Sequence, residues 1–171
     1  MNGWMMLQVM ILLRKISRFQ ALHAAERQVF LSAMVLLPAV SLRMKFFSIK
    51  STLTWLSRQI PLRANGILEG ERDLAQARRT AGLVRQAIYN SPIKGECLSQ
   101  SLVLWHLLSC QGIESEVRIG VQKEEERLPL VAENFNAHAW VEYQGEVLND
   151  QPDVGQRYIA FKQALAPPEQ K

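Results

Sequence analysis

Three residues of the 171-residue chain have the types and order of a nucleophile, a base and an orienting acid: Cys97, His138 and Asp150. Cys97 is predicted to open a helix. Unpaired backbone N–H groups and the helix dipole stabilise a thiolate there. His138 falls in a predicted strand 41 positions on, and Asp150 lies just past another strand, 12 positions further. A hairpin turning at Gln144-Gly145 and centred on position 144 sets positions 138 and 150 nearly opposite each other. Directly opposed side chains come within about 5 Å at Cβ, so Asp150 is placed to hold His138.

The chemistry of such a trio is acyl transfer through a thioester. The imidazole takes the thiol proton, and the thiolate attacks a carbonyl. The N–H of Cys97 helps bind the oxyanion, and the imidazole protonates the leaving amine. Water resolves the thioester, while Asp150 fixes the tautomer without taking the proton. On spacing alone each residue keeps an ordinary reading. Cysteine is a common small buried residue, His138 between two alanines reads as a core histidine, and Asp150 beside Asn149 reads as a turn residue.

The remaining reactive side chains form no second pattern. Cys110 lies at an apolar helix end, His106 follows Trp105 within the helix, and His23 has no evident partner. Cys97, Cys110, His106 and His138 lack a zinc spacing. The Glu124-Glu125-Glu126 run lacks the alternating oxygen ligands of a calcium loop. Gly66 and Gly70 form no phosphate loop. No cofactor is therefore expected, and arginines without a recognition motif give no expectation of nucleic-acid binding.

The elements that must position the trio follow from periodicity. Residues 4–60 read as helical, with a second helix opening at Ala25-Glu26-Arg27, kinked or ended by Pro38, and a third near Ser51 to Gln59. Ile60 to Gly66 reads as a connection. Leu74, Ala77, Ala81, Val84 and Ile88 recur at helical spacing over residues 69–90. A helix from Cys97 to about Cys110 follows, ended by Gly112. The period then becomes two, with strands at Glu116–Val121, Phe135–Tyr143 and Glu146–Asn149 and a short one at Tyr158–Phe161. Residues 122–134 read as an exposed loop, covering a cleft or standing as a neutral insertion, and the tail at Pro167-Pro168 as frayed.

Charge divides the same chain. Residues 1–65 carry nine Lys/Arg and one acid, Glu26, a net +8; residues 66–171 carry eleven Lys/Arg and fifteen acids, a net −4. This asymmetry suggests two parts with different partners: a basic helical region, 1–65, and an acidic part, 66–171, that holds the whole trio. Two cysteines exclude a disulfide scaffold. The apolar runs Trp4–Leu13 and Val29–Val40 are shorter than the roughly 20 residues of a membrane span. Arg14, Lys15 and Arg18 follow the first run, where a signal peptide would place its charge before it. A cytoplasmic location is expected, without peripheral membrane contact.

The segment Cys97-Leu98-Ser99-Gln100-Ser101-Leu102, then Leu107 to Ile113, Ile119-Gly120-Val121, Ala137-His138-Ala139-Trp140-Val141-Glu142, Gly145 and Asp150, resembles the lasso-peptide biosynthesis B proteins. More narrowly, it resembles the transglutaminase-like peptidase part of microcin J25-processing proteins. The resemblance runs from about residue 70 to 155. It implies an α+β fold, a helical N-terminal part followed by a transglutaminase/papain-like core with the cysteine helix packed on a small antiparallel sheet. It also implies a cysteine peptidase removing the leader of a ribosomally made precursor, with Cys97, His138 and Asp150 as its triad. Trp140, on the strand face of His138, would pack beside the site or meet substrate. Residues 1–65 show no leader-recognition module, which matches the split B2 form. The implied partners are the precursor, a separate leader-binding B1-type protein and an asparagine-synthetase-like lasso cyclase. An amidase or acyl transferase using the same triad, and a non-catalytic escort of the precursor, are the alternatives.

Overall fold

The computed structural model describes Met6 and residues 22–61, 71–93, 95–122, 137–161 and 164–165. The expectations for the Trp4–Leu13 run, most of the 60–66 connection, the 122–134 loop beyond residue 122 and the Pro167-Pro168 tail lie outside the described residues.

Helix α1, Ala24–Phe46, starts where expected and does not end at Pro38. An internal proline removes a hydrogen bond and costs about 3 kcal/mol or more. Here packing outweighs it: Ala33, Leu37, Val40 and Ser41 are buried, and the apolar ones join the main hydrophobic core. At 23 residues, α1 is long and apolar enough to cross a membrane by length and composition. The sequence run that looked too short is therefore part of a longer helix. Helix α2, Ile49–Ser57, opens with a true cap, the Ser48 hydroxyl accepting from the Ser51 N–H at 3.2 Å.

Helix α3, Glu71–Asn90, presents Ala77, Ala81, Val84 and Ala87 to the core. Small residues there let its neighbours approach closely. Helix α4, Cys97–Ser109, is the centre of the molecule. Ser99 and every residue from Ser101 to Leu108 are buried, so this helix is enclosed rather than amphipathic. It packs on α1 and α3 and, through its other side, on the sheet.

The sheet is antiparallel, in the order β3-β2-β1-β4. Its strands are β1, Glu116–Gln122, β2, Ala137–Tyr143, β3, Glu146–Val147, and β4, Tyr158–Ala160, which follows the short helix α5, Val154–Arg157. The fold is α+β, as the resemblance implied. Gln144 and Gly145 close β2 onto β3 with φ of 49° and 81°. Positive φ at both central residues is the primed hairpin turn that suits strand twist.

The hairpin register differs from the expected one. Glu142 faces Val147 and Tyr143 faces Glu146, so the symmetry centre lies between residues 144 and 145. A two-residue loop forces this, because the two strands must contribute equally around it. The expected third strand is also shorter, stopping at Val147.

The charge boundary at residue 65 is crossed by packing. Leu37, Val40, Leu53 and Leu56 share one core with Ala81, Leu104 and Val141. Glu26, the one acid of residues 1–65, meets Arg79 of α3 at 2.5 Å.

Candidate active site

The chain before α4 turns through Gly95, whose φ is +68°. A Cβ there would stand 2.6 Å from the Ser41 hydroxyl of α1, so only glycine allows both the turn and the close approach. Cys97 follows as the first residue of α4, with Glu96 as its N-cap. At that position the cysteine's own N–H lies among the donors a helix leaves unpaired. Its thiol is partly exposed and lies 4.0 Å from the Ala137 carbonyl. It therefore sits over the start of β2, one residue from His138.

His138 pairs across the ladder with Gly120 of β1. Its Nε2 is hydrogen-bonded to Asp150 Oδ2, which leaves Nδ1 as the ring nitrogen free to take a proton. The sequence expectation that Asp150 would reach His138 holds, but by another route. Asp150 is not a strand partner of His138; it stands in a bend three residues past the end of β3. The bend is tied back to β2 by the Leu148 N–H donating to the Val141 carbonyl at 2.9 Å. The Val141 N–H in turn donates to the Asn149 side-chain oxygen at 2.7 Å.

Asp150 is held on both oxygens. Oδ1 accepts from the Gln151 N–H at 2.6 Å and from Arg157 at 3.2 Å. Burial by itself would push the Asp150 carboxyl up. The Gln151 N–H, His138 and Arg157 together hold it below its ordinary value. It is thus a carboxylate throughout the neutral range, suited to orienting an imidazole.

Rings wall the histidine. Trp140 lies on the same strand face, its centroid 6.1 Å from that of His138. Tyr158, the first residue of β4, lies 4.9 Å from His138. Trp140 is 1% exposed and its indole N–H donates to Glu142 at 2.7 Å. The expected packing beside the site is present, and at that burial the ring meets protein rather than solvent. Gly120 makes room for it, since a Cβ there would fall 3.0 Å from the Trp140 ring and 2.7 Å from the Ile159 carbonyl.

The structure thus gathers Cys97, His138, Asp150 and Trp140 at one place, where α4 meets β2. Arg157 and Tyr158 belong to the same place and were not anticipated. No motif marks them, and they arrive only because β4 pairs with β1. His23, His106 and Cys110 lie elsewhere, around a hollow of about 930 Å³ among α1, α3 and the end of α4. Among the described residues, no group of three or more His, Cys, Asp or Glu side chains could hold a metal ion.

Comparison with known proteins bears on this site. The sequence model of the transglutaminase-like superfamily matches residues 39–161, a span that contains all four gathered residues. The chain is also 32% identical over 79 residues to the microcin J25-processing protein McjB of Escherichia coli. That match covers 42% of this chain and 34% of McjB, so the chain spans about a third of that relative's length. No solved structure matches.

Proposed function

The chain belongs to the transglutaminase-like superfamily, and from that premise we propose that it is a cysteine peptidase that removes the leader from a ribosomally made lasso-precursor peptide. The observation that carries the chemistry is the engagement of His138 Nε2 by Asp150 beside a helix-opening cysteine. Similarity to a microcin J25-processing protein supports the substrate class.

In the proposed reaction His138 Nδ1 accepts the Cys97 proton. The thiolate attacks the scissile carbonyl carbon, and the carbonyl electrons move to oxygen beside the Cys97 N–H. The tetrahedral intermediate collapses, the C–N bond breaks, and His138 returns the proton to the leaving nitrogen. Water then adds to the thioester with His138 as base, and the C–S bond breaks to restore the thiol. Asp150 supports the imidazolium in both halves, while Trp140 and Tyr158 keep the ring in place. The reaction needs no cofactor and suits a reducing cytoplasm.

The basic region 1–65 is proposed as the docking side for a separate leader-binding B1-type protein, with an asparagine-synthetase-like cyclase taking the product. Exposed Leu31, Val35, Leu42 and Phe46 on α1 support this. Because α1 shares the core, surface changes such as Val35→Ser with Leu42→Ser test docking better than deletion.

The test is incubation of the chain with a lasso-precursor peptide and a B1-type leader-binding protein, followed by mass spectrometry. Free leader and core peptide are expected, and none from Cys97→Ala. A mass gain in place of cleavage indicates acyl transfer. Retained binding with no product indicates an escort. Full cleavage by Cys97→Ala removes the nucleophile.

A further inference from the structure

Ser101 and Asn149 hold none of the three chemical roles, yet their hydrogen bonds join all three elements that do. Ser101 stands one helical turn after Cys97 on α4 and is 0% exposed. Its hydroxyl donates to the Ala139 carbonyl at 3.0 Å, on the residue after His138. The same oxygen accepts from the Asn149 side-chain amide at 3.0 Å. Asn149 immediately precedes Asp150, and its other end accepts from the Val141 N–H at 2.7 Å. A serine hydroxyl has one proton to give and lone pairs to receive. Here a donating and a receiving role are filled by different elements.

The need for such a link follows from the hairpin. The β3 ladder ends at Val147, so Asp150 has no strand partner to set its position. The Asn149 side chain continues the bonding where the ladder stops, and Ser101 passes that restraint to the cysteine helix.

We propose that Ser101 and Asn149 form a positioning clamp that fixes the distance from Cys97 to the His138–Asp150 pair. This rests on the peptidase reading, because it gives that distance its purpose. The clamp touches no substrate in this scheme; it acts through the groups that do. Displacements of about 1 Å in reacting groups cost on the order of 100-fold in rate, which is the sensitivity such a clamp answers.

The experiment is alkylation of Cys97 by iodoacetamide as a function of pH, in a Cys110→Ser background so that one thiol reports. It requires no peptide. The parent is expected to react along a pH profile that His138→Ala moves up. Asn149→Ala and Ser101→Ala are expected to move it in the same direction and to slow alkylation near pH 6.5 by at least about fivefold. The double variant should go no further than the more severe single one, as for one shared network. Ser101→Thr, which keeps the hydroxyl, should return the parent profile. Asn149 sits at an exposed bend, so its variant decides the matter if Ser101→Ala fails to fold. Parent-like profiles in folded Asn149→Ala, with His138→Ala shifted, overturn the clamp and leave the triad. A parent profile that ignores His138→Ala overturns the peptidase reading instead.

Discussion

Helix α4 begins at Cys97 and is capped at its far end by Cys110, and each thiol has a histidine nearby. At the far end the contact is direct, with Cys110 Sγ 3.6 Å from His106 Nε2. By proximity alone this would be the reactive pair. Its surroundings oppose the chemistry. Burial pushes the Cys110 thiol up and the His106 imidazole down, so both stay neutral. The helix C-terminus adds a partial negative charge, which further disfavours a thiolate. Behind His106 stands only the neutral Leu56 backbone carbonyl, whereas His138 has a carboxylate on Nε2. Under the proposed function, what separates the two pairs is the end of the helix the cysteine occupies and the group behind the imidazole. Contact is the lesser requirement.

The sharpest way to break this comparison is to exchange the sulfurs for oxygen one at a time. Cys97→Ser is expected to lower cleavage of the precursor by at least about 1000-fold, and Cys110→Ser to leave it within about twofold; equal losses would erase the distinction. Next in size, Asp150→Asn should lower kcat by about 100-fold or more by releasing the imidazole tautomer, read by single-turnover cleavage. The thiols can also be compared directly. Brief iodoacetamide treatment of the folded chain at pH 7 should label Cys97 at least about tenfold over Cys110, as counted by peptide mass mapping.

The smallest effect concerns His106 and stability. Its pKa lies below the unfolded value near 6.5, so on acidification the unfolded chain takes up this proton first. Stability from this group is present above the unfolded pKa and is lost as pH falls toward the folded one. His106→Leu should flatten the decline in urea midpoint below about pH 6.5; an unchanged slope would assign the decline to other groups.

Much of the site was legible because its parts are local. The start of α4 at Cys97 follows from the loop-breaking Gly95 and the apolar run beyond it. Strands β1 and β2 follow from period two, and the turn from Gln144-Gly145. The two-residue turn also carried the information for the register, but centring the hairpin on residue 144 placed Asp150 one position off. The side chain of Asn149, which stands in for a strand, has no local signature, because asparagine at a bend has several uses. The continuation of α1 past Pro38 was also hidden, since it depends on α3 and α4 lying against Leu37 and Val40. Arg157 and Tyr158 were invisible for the same reason: their place depends on β4 reaching the far edge of β1.

The β2–β3 hairpin also sets an order in time. His138 and Asp150 lie on either side of its turn, and hairpins close in about 1–10 μs once both strands exist. Cys97 belongs to a helix made earlier. At about 5–20 residues per second, residue 150 follows residue 97 out of the ribosome by roughly 3–10 s. Residue 138 follows residue 97 by roughly 2–8 s, so for most of that interval the nascent chain carries the Cys97 thiol without His138, and throughout it without Asp150. His138 and Asp150 then meet each other far faster than the segment between them was synthesised. The three side chains therefore come together only once the hairpin is made, and a product truncated before it carries Cys97 without the other two.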